Sequence, residues 1–140
     1  ERYLGYEKKA YKIVNGKKTS LKIKNTKKIS DSILNTTSPY LFANKSDQLS
    51  FERLSKKVKL TRLGGDCYSY CLLADGYVDI VVESGLNPWD IRALEPIINN
   101  AGGVIKTWDN KKIFNGGKII ACTNNIIFNE CVKILTKKPT

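Results

Sequence analysis

The chain has 140 residues, 41% of them hydrophobic, which suffices for one core of ordinary size. Lysine and arginine outnumber the acids 24 to 13, giving a formal charge of +11 with no histidine and no methionine. No apolar run approaches the roughly 18 residues of a membrane span, and "ERYLGYEKKA" lacks the basic-then-apolar pattern of a signal peptide, so a cytoplasmic protein without a membrane partner is expected.

The chain opens on Glu1 within a strand-like run and has no methionine, which implies a piece of a longer polypeptide. Residues 1–29 read as antiparallel strands: "RYLGY", then "AYKIV" and "TSLKI" about Asn15-Gly16, a dipeptide suited to the positive backbone angles of a hairpin. Nine lysines and no acid lie between Lys8 and Lys28, a charge that a nucleic-acid surface would also show. However, Lys18, Ser20, Lys22 and Lys24 alternate with Thr19, Leu21 and Ile23, the period of a half-exposed strand. Neither an arginine cluster nor an aromatic platform accompanies them. Solvated lysines that discourage edge pairing explain the run, and no nucleic-acid partner is expected.

From Ile29 onward strands and helices alternate, the mark of α/β layering. Strands are predicted near Ser32–Asn35, Val58–Leu63, Val78–Val82, Gly103–Ile105 and Ile119–Ala121. Helices are predicted near Asp47–Lys56, Asp66–Ala74, Pro88–Asn99 and Ile126–Leu135. The four cysteines, Cys67, Cys71, Cys122 and Cys131, have neither CxxC spacing nor a histidine to complete a zinc site, and read as small buried hydrophobes.

The stretch "VVESGLNPWDIRALEPIINNAGG" places two acids around one turn. Asn87 is a favourable N-cap and Pro88 a favourable first helical residue, leaving Asp90 in the first turn. Asp90 is then either a partner of the helix dipole or an oxygen ligand for a hard cation at an end that also attracts phosphate. Glu83 either marks the end of a strand or faces the same place. Asp66 reads either as an N-cap or as an acid of a site, and Gly64-Gly65 as a turn or as a close approach of backbone to ligand.

The run "GGDCYSYCLLADGYVDIVVESGLNPWDIRALEPIINNAGGVI" resembles the second signature region of the inositol-monophosphatase superfamily, with its Trp-Asp at a helix start followed by Ala-Gly-Gly. "GGDCYSY", with "LNTTSPYLF" and "TRLGGD", looks most like the histidinol-phosphate phosphatase branch. Trp89 stands where that branch more often has Tyr, and Asn100 where the superfamily usually has an acid. The resemblance covers nearly the whole chain and implies the C-terminal half of a layered α/β sandwich. Residues 1–29 would end the N-terminal subdomain, contributing antiparallel strands to the sheet of the missing half, and residues 30–140 would form the C-terminal α/β subdomain.

The resemblance further implies a Mg2+-dependent phosphomonoesterase, homodimeric at full length, that hydrolyses histidinol phosphate in histidine biosynthesis. Asp90 would be a catalytic residue and ligand of the Mg2+ ions. Gly64, Gly65, Asp66, Cys67 and Glu83 would shape the substrate pocket, with Asp66 and Glu83 as substrate-facing acids. The family's other metal ligands, a Glu and an Asp-Pro-Ile-Asp-Gly-Thr segment, do not occur in this chain, so the 140 residues alone are expected to be inactive. An inositol- or sugar-phosphate phosphatase, a catalytically silent basic fragment and a basic nucleic-acid-binding module remain the alternatives.

Overall fold

The computed structural model describes residues 1–137. Its first three strands, β1 (Arg2–Tyr6), β2 (Lys9–Val14) and β3 (Lys17–Ser20), form an antiparallel sheet in chain order. Asn15 and Gly16 take φ of 49° and 78°, the two positive angles that a tight primed turn requires. The strand expected over "TSLKI" ends at Ser20: the Leu21 N–H still donates to Ala10 O at 2.9 Å, but the Ile23 N–H donates to Ala101 O at 3.4 Å. The chain thus leaves its hairpin partner for the next layer. All four residues of β3 are exposed, so its lysines are solvated.

The second sheet has five strands in the order β5-β4-β6-β8-β7: β4 (Ile33–Thr36), β5 (Leu60–Leu63), β6 (Ile80–Leu86), β7 (Val104–Thr107) and β8 (Gly117–Cys122). β4 runs parallel to β5 and β6, whereas β8 is antiparallel to β6 and β7. Helices α1 (Lys45–Ser55), α2 (Asp66–Ala74), α3 (Pro88–Ile91), α4 (Glu95–Asn100) and α5 (Asn125–Leu135) complete the fold.

Alternation along the central strands sets the layers. Ile80, Val82, Ile120 and Cys122 pack with Phe51 and Leu54 of α1 and Phe128 of α5. Val81, Ile119 and Ala121 face the other way, toward Leu73 of α2 and Ile98 of α4, and Ala10 of the small sheet joins the same cluster. The order is therefore helices, five-stranded sheet, helices, three-stranded sheet. Ile80, Val81 and Val82 are fully buried, and each such side chain contributes about 1.5–3 kcal/mol of burial.

The single helix expected over Pro88–Asn99 is broken. α3 ends at Ile91, a turn occupies residues 92–94, and α4 begins at Glu95. Pro96 is the physical reason: it has no N–H to give the Arg92 carbonyl, and its ring would collide with that carbonyl in a continuous helix. α4 packs so closely on β1 that a Cβ at Gly5 would strike the Pro96 carbonyl group and the Ile97 nitrogen. Cys71, Cys122 and Cys131 are buried as expected, but Cys67 is exposed because it is the second residue of α2, at the open end of that helix. No helix among the described residues is long and apolar enough to cross a membrane.

Candidate active site

The three parallel strands end along one edge of the sheet. β4 runs into Thr36-Thr37, β5 into Gly64-Gly65, and β6 carries Glu83 shortly before α3 begins. Chain connections diverge outside the carboxyl ends of parallel strands and leave a crevice there. The cleft at this place has a volume of about 240 Å³ and is lined by Thr37, Asp66, Cys67, Tyr70, Glu83 and Asp90, among others. Four of the six residues picked out from the sequence therefore share one hollow. Gly64 and Gly65 are not among its lining residues, although the loop they build carries Asp66 and Cys67 to it.

That loop is a left-handed run: Gly64, Gly65 and Asp66 take φ of 84°, 101° and 46°. A Cβ on Gly65 would lie 2.6 Å from Ser69 Oγ, so glycine is required there by space as well as by backbone angle. Ser69 secures the loop from behind, donating to Gly64 O and accepting from Asn35 Nδ2, both at 3.3 Å. Gly65 occupies the N-cap position of α2, and Asp66 is its first helical residue. The capping alternative for Asp66 fails, since no side chain caps this helix. The Asp66 carboxylate has neither a hydrogen bond nor an ion pair among the described residues.

Glu83 is 5% exposed and held by the end of the neighbouring strand. Thr37 donates to Oε1 through its N–H at 2.7 Å and its hydroxyl at 2.8 Å, and the Thr36 hydroxyl donates to Oε2 at 3.1 Å. Burial pushes the Glu83 carboxyl above its ordinary value of 4.5; the Thr37 and Thr36 hydrogen bonds oppose that rise and the nearby Asp66 charge adds to it. The strand register shifts between Glu83 and Leu86, so the chain bends directly after this acid.

Asp90 stands in the first turn of α3, exposed, and its Oδ2 accepts the Asn87 N–H at 2.8 Å. Its second oxygen accepts nothing among the described residues. In a chain of 24 basic residues, none of these three cleft acids pairs with a lysine or arginine among the described residues, whereas Asp47, Asp75 and Asp109 all do. A larger hollow of about 540 Å³ beside α1 contains Asp47 and Asp109, both already neutralised by Lys118 and Lys111.

Tyr70 completes the cleft. It is 3% exposed, and burial first, then the Glu83, Asp66 and Asp90 carboxylates, push its hydroxyl well above the usual tyrosine value. Among the described residues no set of three His, Cys, Asp or Glu side chains is gathered closely enough to enclose a metal ion. The cleft is thus an open carboxylate-lined wall.

Sequence reasoning missed Thr36, Thr37, Tyr70 and Ser84. The hydroxyl pair closing an apolar strand was a usable signal for the first two. Tyr70, four residues after Asp66 on a helix, shares its face and was equally readable. Ser84 had no such signal: its hydroxyl donates to Asp47 at 2.9 Å, and Asp47 is paired with Lys118 at 2.6 Å across 71 residues of sequence.

Residues 2–138 match the profile of the inositol monophosphatase family. The chain is 43% identical over 112 residues to the chloroplastic bifunctional phosphatase IMPL2 of Arabidopsis thaliana, a stretch covering 80% of this chain and 31% of that protein. It is 38% identical over 80 residues to a histidinol-phosphatase of Mycobacterium tuberculosis, covering 57% and 30%. An inositol monophosphatase of Dictyostelium discoideum is 31% identical over 114 residues, covering 78% and 42%. Among solved structures, an inositol monophosphatase from Zymomonas mobilis superposes with a TM-score of 0.81 at 30% identity, over 92% of this chain and 53% of that one. The chain thus spans about a third to two fifths of these curated relatives and about half of the solved structure. The mixed five-stranded sheet, the crevice at its parallel edge and these likenesses agree: the chain belongs to the inositol monophosphatase family.

Proposed function

We propose that this chain forms one wall of the active site of a Mg2+-dependent phosphomonoesterase whose substrate is histidinol phosphate. The observation that carries the reading is the meeting of Asp66, Glu83 and Asp90 in one cleft without basic partners among the described residues. The 38% identity to the histidinol-phosphatase of Mycobacterium tuberculosis, against 31% to the inositol monophosphatase of Dictyostelium discoideum, supports the substrate.

Asp90 is the residue that would hold the metal, because carboxylate oxygen is the donor Mg2+ prefers and one Asp90 oxygen is not engaged by the protein. The bound ion supplies charge neutralisation of the phosphate and an acidified water. Asp90 contributes a single ligand, so the remaining acids must come from outside these 140 residues, and this stretch alone is expected to be inactive. Residues 1–29 would accordingly belong to the N-terminal subdomain and residues 30–140 to the C-terminal one.

The remaining groups act on the organic part of the substrate. Glu83 is oriented by Thr36 and Thr37, and Asp66 is presented by the Gly64-Gly65 loop together with Cys67. Two anions suit a substrate that carries an ammonium and an imidazole beside its phosphate. The test is release of inorganic phosphate by the full-length protein with Mg2+, comparing histidinol phosphate with inositol 1-phosphate. The expected result is a higher kcat/KM for histidinol phosphate that Asp66→Asn narrows. A preference for inositol 1-phosphate would transfer the substrate to the inositol branch, and no turnover of either would overturn the reading.

A further inference from the structure

Four buried side-chain polar atoms have no hydrogen-bond partner among the described residues: Asn35 Oδ1, Arg53 Nε, Thr61 Oγ1 and Tyr70 OH. Of these residues, Tyr70 is the one that lines the carboxylate cleft. Its ring belongs to the core cluster beneath α2 and the sheet, and the residue is 3% exposed. Asp66 lies one helical turn earlier on the same face of α2, and Glu83 and Asp90 belong to the wall built by β6 and α3.

A buried hydroxyl without a partner is a burden that phenylalanine, of nearly the same shape, would avoid. Glu83 and Asp90 take their donors elsewhere, Thr36 and Thr37 for the first and Asn87 for the second, and Asp66 has no donor among the described residues. Tyr70 is none of these. The partner of its hydroxyl is therefore sought in what enters the cleft. With Asp90 assigned to the metal, the carboxylates of Asp66 and Glu83, which have no basic partner among the described residues, disfavour an anionic group on their side of the cleft and favour one that is positive and rich in N–H donors. A tyrosine hydroxyl oxygen can accept from such a group.

We propose that Tyr70 is a specificity-determining residue whose hydroxyl accepts a hydrogen bond from an N–H of a cationic group on the substrate, selecting amine-bearing phosphate monoesters over neutral ones. The proposal rests on the phosphomonoesterase reading and names the chemistry of its substrate's organic end. Asp66 and Glu83 attract the charge, and Tyr70 fixes where the N–H points.

The test is Tyr70→Phe in the full-length protein with Mg2+, read by melting temperature and by kcat/KM on histidinol phosphate and on inositol 1-phosphate. The expected melting temperature is equal to or above that of the unchanged protein, since an unpartnered hydroxyl has been removed. The ratio of kcat/KM for histidinol phosphate to that for inositol 1-phosphate should fall about 10-fold or more, chiefly through KM, the size of one buried hydrogen bond to a charged group. A lower melting temperature would show that the hydroxyl has a structural partner, and an unchanged ratio would show that it selects nothing; either overturns the proposal. If the unchanged protein hydrolyses both esters while the ratio does not move, Tyr70 alone loses its role. If it hydrolyses neither, the phosphomonoesterase reading and this proposal fail together.

Discussion

Thr37 holds Glu83 twice, its N–H at 2.7 Å and its hydroxyl at 2.8 Å both directed at Oε1, so that the end of β4 fixes the carboxylate of β6. Thr37→Val keeps the shape of the residue and the N–H bond but deletes the hydroxyl donor. The expected loss is about 1.5–3 kcal/mol of folding stability, the range for a hydrogen bond to a charged group, measured by urea unfolding of the full-length protein. A loss below a few tenths would mean that the hydroxyl bond contributes nothing net.

The raised Glu83 carboxyl makes stability depend on pH in a defined direction. Above its ordinary value of 4.5, and up to its folded value, the folded state holds a proton that the unfolded state has released. Stability therefore falls as pH rises through this window, and the burden is complete above it. Glu83→Gln has no proton to lose. The variant's stability relative to the unchanged protein should rise as the pH climbs above 4.5 and level off once it has passed the folded value, as followed by denaturant midpoints. A difference that is flat with pH would contradict the burial of this charge.

Asp90→Asn separates chemistry from capping. Asparagine retains an oxygen for the Asn87 N–H, so the change in stability should stay within about 1 kcal/mol. Phosphatase activity of the full-length protein should fall by at least about 100-fold, because the charge proposed to bind the metal is gone. A folded variant with unchanged turnover would reduce Asp90 to a helix-cap residue.

Two glycines with positive φ test the loop before α2. Gly65 combines φ of 101° with a Cβ position 2.6 Å from Ser69 Oγ, whereas Gly16 has φ of 78° and nothing within 4 Å. Gly16→Ala should destabilise by about 1 kcal/mol from backbone strain alone. Gly65→Ala should exceed it, at roughly 2–3 kcal/mol, and should also disturb the presentation of Asp66. Thermal melts of both variants provide the comparison, and equal effects would show that Ser69 yields freely.

The elements of the fold were legible where local chemistry decided them. Asn15-Gly16 announced its hairpin, and short apolar runs announced β6 and β8. The strand over "TSLKI" was misplaced at its end because Ile23 is claimed by Ala101, a partner far along the chain that periodicity does not reveal. The continuous helix through Pro96 was a misreading of a signal that was present, since proline inside a helix is a local break. In the cleft, Asp66, Glu83 and Asp90 were visible as acids beside turns. The Thr37 clamp and the Asp47–Lys118 support behind Ser84 depend on strand pairing and helix packing, which one-dimensional spacing does not encode.

The missing side chain at Gly5 has a mechanical consequence. Backbone meets backbone there, with no flexible methylene between β1 and the start of α4 to take up displacement. α4 follows α3 after three residues, and α3 carries Asp90. Any side chain at residue 5 would hold the small sheet off α4, so the seating of β1 against the helix that follows Asp90 is fixed by a glycine far from that acid in sequence.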